Sequence, residues 1–587
     1  MRRPRPSLIL AGVIGLLALL YTLALFPGLE WYSGYFGFSY KALHPESFPG
    51  DKYMPAGNPT SLSTYYVLVR LVGDLWLDDR FTIGVFFALV ILALLGVDRT
   101  ARALGAEGLD ERIVIVALLA IGHRFRDNVA MLVTNADFYA GTFAGVAAIW
   151  LLYWTLSGAR LWVILAGVAL LGSLNARWAW FPSLLALTVV ARERLTPRQQ
   201  GWVAAAIVGA GVVLGVVYAS WLRPPGPEQA WLFDDLLRRQ NSEIHPFLDT
   251  ALANLTYFLV LGLGLLLAVP IEAPRRRVRM VVLLGALLWV LGGLYLSYVP
   301  DLMKVPHLAA LAPNRATQWP QYVLFLSMGV AAVVMLRAPS GRRRVGGLVV
   351  LAALYGTFSP GRMLKVGVVG AVLLGASLWW WRRGRVSPGR AGDLLREWLL
   401  GANLARVAAA TLLLVTLGAF GKGTVQRSPD LLFLARHGVM GDHPSAKWVG
   451  VDEFVRRNTA PDATILPLAN GDYRWRPGLV HEASLRIRTG RSTPMGPRSA
   501  VWFDQRLLQE HEVDGRHMKQ MLEAWRRGDV ETVERELAHF RPVDYIIVQE
   551  SVRHPIQERL ADYRVESSVG EFTILRRQPR RAGGRVA

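Results

Sequence analysis

Apolar stretches about as long as a membrane is thick recur through most of this chain. A helix needs roughly 20 consecutive apolar residues to cross the hydrocarbon layer of a bilayer. About thirteen candidates occur before residue 421, and because several are short, we expect about eleven to fourteen spans. The stretches are residues 7–26, 81–97, 113–121, 138–156, 161–174, 178–191, 201–221, 251–271, 280–299, 319–336, 345–358, 363–381 and 404–420.

Charge divides the chain into two regions. Only 19% of the 587 residues are charged, against roughly 25% in a soluble protein, and the deficit lies before about residue 420. We therefore predict a polytopic α-helical membrane domain over residues 1–421, with a long first outer loop at 27–80. A small C-terminal α/β domain is expected over 422–577, followed by a disordered basic tail at 578–587.

The basic residues predict the orientation of the chain. Its net charge is +21 and its pI about 10.4, but no nucleic-acid-binding motif accompanies the charge, so the expected partner is the bilayer. The arginine clusters fall between apolar stretches, and an excess of arginine and lysine is typical of the cytoplasmic loops of membrane proteins. An odd number of spans then places the N-terminus in the cytoplasm and the C-terminal domain outside a bacterial cytoplasmic membrane. The clusters are Arg275, Arg276, Arg277 and Arg279; Arg342, Arg343 and Arg344; and Arg382, Arg383 and Arg385.

The first outer loop is dense in polar and aromatic residues. Asp51 follows a Phe-Pro-Gly turn, which would present its carboxylate at a fixed position. Beside the bilayer such a group can act as a general base; the alternative is a solvated or turn-capping aspartate. The apolar run 64–77 is predicted to be a helix lying at the membrane interface. Asp78 and Asp79 are explained as the start of the following helix rather than as metal ligands.

Two further outer loops carry charges close to predicted spans. Arg124, Arg126, Asp127 and Asp137 lie in the second loop, where charges face a polar cavity or pair with one another. Both readings stay open for Asp127. In a later loop, Arg362 and Lys365 suit a lipid phosphate, and the alternative is contact with the bulk headgroup layer.

The sequence also excludes several classes of chemistry. The chain has no cysteine, which excludes disulfides, iron–sulfur clusters and thiol nucleophiles. A nucleotide-binding P-loop, a GxSxG serine hydrolase site and an HExxH zinc site are all absent from the sequence.

The layout resembles the GT-C class of glycosyltransferases, which use polyprenyl-phosphate-linked sugars. The stretch Tyr40-Lys-Ala-Leu-His-Pro-Glu-Ser-Phe-Pro-Gly-Asp51, with Tyr65-Tyr66 downstream, is similar to the first loop of bacterial membrane proteins related to that class. Phe454-Val-Arg-Arg-Asn-Thr-Ala-Pro-Asp-Ala463 and Asp544-Tyr-Ile-Ile-Val548 are similar to their C-terminal portion. The resemblance covers most of the chain but rests on layout and short motifs.

The resemblance implies roles for the loop residues. Asp51 would deprotonate an acceptor hydroxyl of a glycan or lipid, and the acceptor would displace polyprenyl phosphate with inversion. A second carboxylate would come from Asp127 or Asp137, and a divalent cation stays an open question. Binding of the donor's lipid phosphate would fall to His44, Arg124, Arg126, Arg362 and Lys365. The alternatives are a flippase for lipid-linked glycans and a non-catalytic protein of envelope assembly.

The C-terminal region has the alternating pattern of an α/β domain. A helix is predicted over 447–458, and short β-branched runs predict strands at 463–468, 543–548 and 571–575. Helical segments are expected within 502–540, with breaks near Gly515 and Gly528.

Overall fold

The structure is a computed structural model that describes residues 6–26, 41, 43–47, 64–124, 140–202, 205, 209, 318–338, 341–356, 404–438, 444–468, 485, 489–494, 505–540, 542–550 and 558–578. These residues are mostly helical, with a small sheet near the C-terminus. The helices of the apolar region are α1 Pro6–Leu25, α2 Thr64–Val72, α3 Asp79–Leu104, α4 Leu109–Arg124, α5 Ala140–Ser157, α6 Leu161–Leu174, α7 Ala176–Arg194, α8 Gln318–Leu336, α9 Gly341–Gly356, α10 Leu404–Gln426 and α11 Ser428–His437. A 3₁₀ helix, Gly73–Leu77, joins α2 to α3.

Three of these helices are long and apolar enough to cross a membrane. They include Ser7–Leu25 of α1, Asp79–Leu104 of α3 and Ala405–Gln426 of α10. The prediction of helices long and apolar enough to span a membrane is therefore confirmed for these three, while the count of about thirteen spans is not. The predicted stretches 251–271, 280–299 and 363–381, and most of 201–221, lie outside the described residues.

The membrane-length helices pack around α1. Tyr21 of α1 contacts Phe86 of α3 and Phe420 of α10, with ring centroids 6.2 and 5.4 Å apart. Beyond its C-terminus, the carbonyl of Phe26 accepts a hydrogen bond of 2.7 Å from Arg427, which follows α10. α1 and α10 therefore end on the same side of the bundle. We call this side the loop-1 end, because the chain enters the first long loop there after Phe26.

The opposite end of the bundle is held by two ion pairs whose carboxylates are buried. Asp98 of α3 accepts two hydrogen bonds of 2.6 Å from the guanidinium of Arg112 on α4. Glu111 on α4 pairs at 2.8 Å with Arg337, which follows α8. These contacts make α3 and α4 antiparallel, so α3 begins and α4 ends at the loop-1 end.

The C-terminal region is a three-layer α/β/α domain. Its elements are α12 Pro444–Asn458, β1 Ile465–Leu468, α13 Gln505–Arg527, α14 Val530–His539, β2 Tyr545–Gln549, β3 Tyr563–Val569 and β4 Phe572–Arg577. The strand order is β1-β2-β4-β3, with β1 parallel to β2 and the other pairs antiparallel.

A helical layer buries each face of this sheet. On one face, Trp448 of α12 packs on Phe572 of β4, with ring centroids 4.4 Å apart. On the other face, Trp525 and Met521 of α13 pack with Ile546 and neighbouring strand residues. Successive side chains of β2 point to opposite faces of the sheet, and all of them are buried because both faces are covered. This explains why Tyr545–Val548 is a continuous apolar run.

Most of the elements predicted in this domain are confirmed. The helix at 447–458 and the strands that became β1, β2 and β4 lie where the sequence places them. The predicted break at Gly528 is confirmed, since Gly528 has φ +74° between α13 and α14. The predicted break near Gly515 is wrong, because α13 continues through it. Its helical hydrogen bonds and the burial of Met518 and Met521 outweigh the low helix propensity of one glycine.

Candidate functional site

The described part of the first loop is anchored by an aromatic cluster beneath it. Tyr65 on α2 contacts Trp76 of the 3₁₀ helix and Phe143 of α5 at centroid distances of 5.8 and 5.7 Å. The indole N–H of Trp76 donates to the Tyr65 hydroxyl at 3.3 Å. Thr64 donates to Ser173 of α6 at 2.8 Å. The 3₁₀ helix, and Asp74 within it, are therefore fixed against the loop-1 end of the helices.

His44 and Asp74 form a hydrogen-bonded pair on this anchor. The Nε2 atom of His44 lies 3.0 Å from Oδ1 of Asp74. An ionised carboxylate only accepts hydrogen bonds, so in the neutral imidazole Nε2 carries the proton and donates to Asp74. The other ring nitrogen, Nδ1, lies 3.9 Å from Oε1 of Glu46. Imidazole is a side chain that can take up and release a proton, and when protonated it can donate a hydrogen bond to an anionic oxygen.

A second polar group begins α3 four residues after Asp74. The carboxylate of Asp78 caps the helix by accepting from the backbone N–H of Arg80 at 2.8 Å and from its guanidinium at 2.5 and 3.0 Å. Hydrogen bonds from Arg80 hold the pKa of Asp78 below its usual range. The backbone N–H of Asp79 donates to the carbonyl of Gly438 at 3.1 Å. The prediction that Asp78 and Asp79 start a helix is confirmed.

Few of the site residues predicted from the sequence lie in the described part of the chain. His44 is described, and its pairing with Asp74 is the contact given above. Arg124 is the last residue of α4, so its backbone lies at the loop-1 end. Its side chain lies outside the described residues, as do Asp51, Arg126, Asp127, Asp137, Arg362 and Lys365.

Asp74 is the site residue that the sequence did not single out. It lies 30 positions from His44, and no local spacing links a loop residue to a residue of a 3₁₀ helix that far along the chain. The sequence signal for Asp74 is its position inside an apolar run, directly after Gly73. A carboxylate in such a run needs a polar partner or water.

The described residues contain no cluster of three or more histidine and carboxylate side chains able to hold a metal ion. The loop-1 site is instead a two-membered imidazole–carboxylate pair beside the capped start of α3. No protein-family model matches the chain, and no curated protein is significantly similar to it.

Proposed function

We propose that this protein is a membrane glycosyltransferase that moves a sugar from a polyprenyl-phosphate donor to an acceptor hydroxyl at the loop-1 end of its helices. The observation that carries the proposal is the His44–Asp74 pair. This pair lies at the end of a bundle with three membrane-length helices, where a lipid-linked phosphate would lie.

The reaction assigns separate tasks to the loop residues. Asp51 takes the proton from the acceptor hydroxyl, whose oxygen attacks the anomeric carbon of the donor. The bond from that carbon to the phosphate oxygen breaks with inversion, and polyprenyl phosphate leaves as an anion. Arg124, Arg126, Arg362 and Lys365 supply positive charge to the leaving phosphate. Asp127 and Asp137 are the candidates for a second carboxylate.

His44 has a specific task in this scheme. Protonated His44, oriented by its contact with Asp74, would donate a hydrogen bond to the leaving phosphate. A charge-assisted hydrogen bond of this type contributes about 1.5–3 kcal/mol. If it forms only in the transition state, its loss slows turnover about 10- to 150-fold.

The function is tested with purified protein in liposomes and a panel of radiolabelled polyprenyl-phosphate sugars. Wild-type protein should consume at least one donor. Asp51→Asn should lower turnover about 10²- to 10⁴-fold, as loss of a general base does. The matched control is Glu107→Gln, an exposed carboxylate between α3 and α4 at the opposite end of the bundle, whose turnover should stay within about twofold of wild type.

Two results would contradict the proposal. Turnover unchanged in Asp51→Asn would remove the base assignment. Movement of intact donor across the bilayer, with no donor cleaved, would replace the transferase with a flippase.

A further inference from the structure

The short helix α11 is attached to the membrane-length helices at both of its ends. Just before it, the guanidinium of Arg427 donates to the carbonyl of Phe26, beyond the end of α1. Just after it, the carbonyl of Gly438 accepts from Asp79 at the start of α3. A helix of 10 residues is about 15 Å long. It therefore runs from the end of one membrane-length helix to the start of another, across the loop-1 end rather than away from it.

The junction after α11 is closely packed around Gly438. This glycine has φ +75°, a left-handed conformation that side chains other than glycine rarely adopt. An added Cβ would lie 3.3 Å from Oδ1 of Asp78 and 3.4 Å from the guanidinium of Arg80. The C-terminal end of α11 is therefore fixed against the N-terminal cap of α3. This contact also fixes the position of α11 along the axis of the bundle.

The exposed face of α11 combines apolar and basic side chains. Leu434 is buried in the core of the bundle, whereas Leu432 is 60% exposed. The exposed ionisable side chains of α10 and α11 near this end are Lys422, Arg436 and His437. Apolar area together with positive charge is the composition of a helix that lies in the headgroup layer of a bilayer, with its cations near lipid phosphates.

We propose that α11 is an interfacial helix that lies parallel to the membrane in the phospholipid headgroup layer at the loop-1 end. The inference is independent of the transferase proposal, because it rests on the ends of α1, α3 and α10 and needs no reaction. It also limits the position of the α/β domain. Five residues separate Gly438 from α12, and six peptide steps reach about 20 Å at most, so the domain begins close to the membrane surface.

The absence of cysteine from the chain allows a direct test by single-cysteine spin labelling. Nitroxides are attached to Ser428→Cys, Leu432→Cys and Arg436→Cys of the full-length protein in lipid nanodiscs. These three exposed positions are spaced four residues apart on one side of α11. The depth of each label is measured from its collisions with oxygen, which concentrates in the bilayer, and with a water-soluble nickel chelate.

Two reference labels set the scale. Leu414→Cys, 69% exposed within α10, reports the lipid interior. Glu531→Cys, exposed at the start of α14 in the α/β domain, reports bulk water. Size-exclusion profiles confirm that each labelled protein remains folded.

The proposal predicts that the three α11 labels give similar depths, between the two references. If α11 instead continued the direction of α10, eight residues would move the label about 12 Å along the membrane normal. A depth that falls steadily to the Glu531 value would therefore overturn the proposal. Labels shielded from both oxygen and nickel would also overturn it, because protein rather than lipid would then cover the helix.

Discussion

Replacement of Arg112 by methionine tests the ion pair that joins α3 to α4. Asp98 is 3% exposed and Arg112 19% exposed, and two hydrogen bonds of 2.6 Å connect them. Arg112→Met leaves the buried carboxylate without this partner, which costs about 3–5 kcal/mol. At 1.4 kcal/mol for each factor of ten, the folding equilibrium constant should fall about 140- to 4,000-fold.

Reversible unfolding in mixed micelles measures this change. The control is Arg406→Met, which removes a guanidinium that is 72% exposed and 3.3 Å from Asp110; an exposed pair contributes about 1 kcal/mol at most. The double variant Asp98→Leu/Arg112→Met should recover most of the loss, since both charges are then gone. A loss for Arg112→Met no larger than that for Arg406→Met would refute this reasoning.

Three further predictions concern the loop-1 site and the α/β domain. His44→Gln and Asp74→Asn should each lower turnover about 10- to 150-fold with little change in KM. Because Asp74 acts through His44, the double variant should be no slower than His44→Gln. Additive losses in steady-state kinetics would contradict this. Burial of Glu536 raises the pKa of its carboxyl group. Hydrogen bonds and positive charge from His517 and Arg535 together lower that pKa by more, so it lies below its usual range. The stability that Glu536 contributes is present above pH about 4.3 and is lost as the pH falls through its lowered pKa. Glu536→Gln should therefore destabilise the protein at pH 7 in urea titrations. The stability of this variant should also fall less steeply than that of wild type as the pH is lowered. Gly438→Ala should lower stability by about 1 kcal/mol through strain at positive φ, and a thermal melt identical to wild type would mean that this junction adjusts freely.

The α/β domain was largely predictable from its sequence because its elements bury apolar side chains in local, periodic patterns. β1, β2 and β4 were expected from such runs. β3 was missed because it is an edge strand in which Arg564, Glu566 and Ser568 interrupt the apolar pattern. An edge strand is defined by its pairing with β4, which is not visible in its own composition.

The candidate site was less predictable, since its contacts join distant parts of the chain. The cap at Asp78 is local, and the sequence predicted it. The contacts between His44 and Asp74, and between Gly438 and Asp79, bridge 30 and 359 positions. Such contacts depend on how the helices pack, and only periodicity within each helix can be read from the sequence.

The claim that the protein is a transferase acting at the loop-1 end is tested most directly by determining from which leaflet the donor is consumed. Proteoliposomes are sorted by protease access to the α/β domain, and labelled polyprenyl-phosphate sugar is supplied to one leaflet at a time. The account predicts that sugar is transferred only when the donor is in the leaflet on the side of the α/β domain, where the His44–Asp74 pair lies at the loop-1 end, and that transfer is lost in Asp51→Asn. Transfer from the opposite leaflet alone, or donor cleavage that does not depend on Asp51, would contradict it.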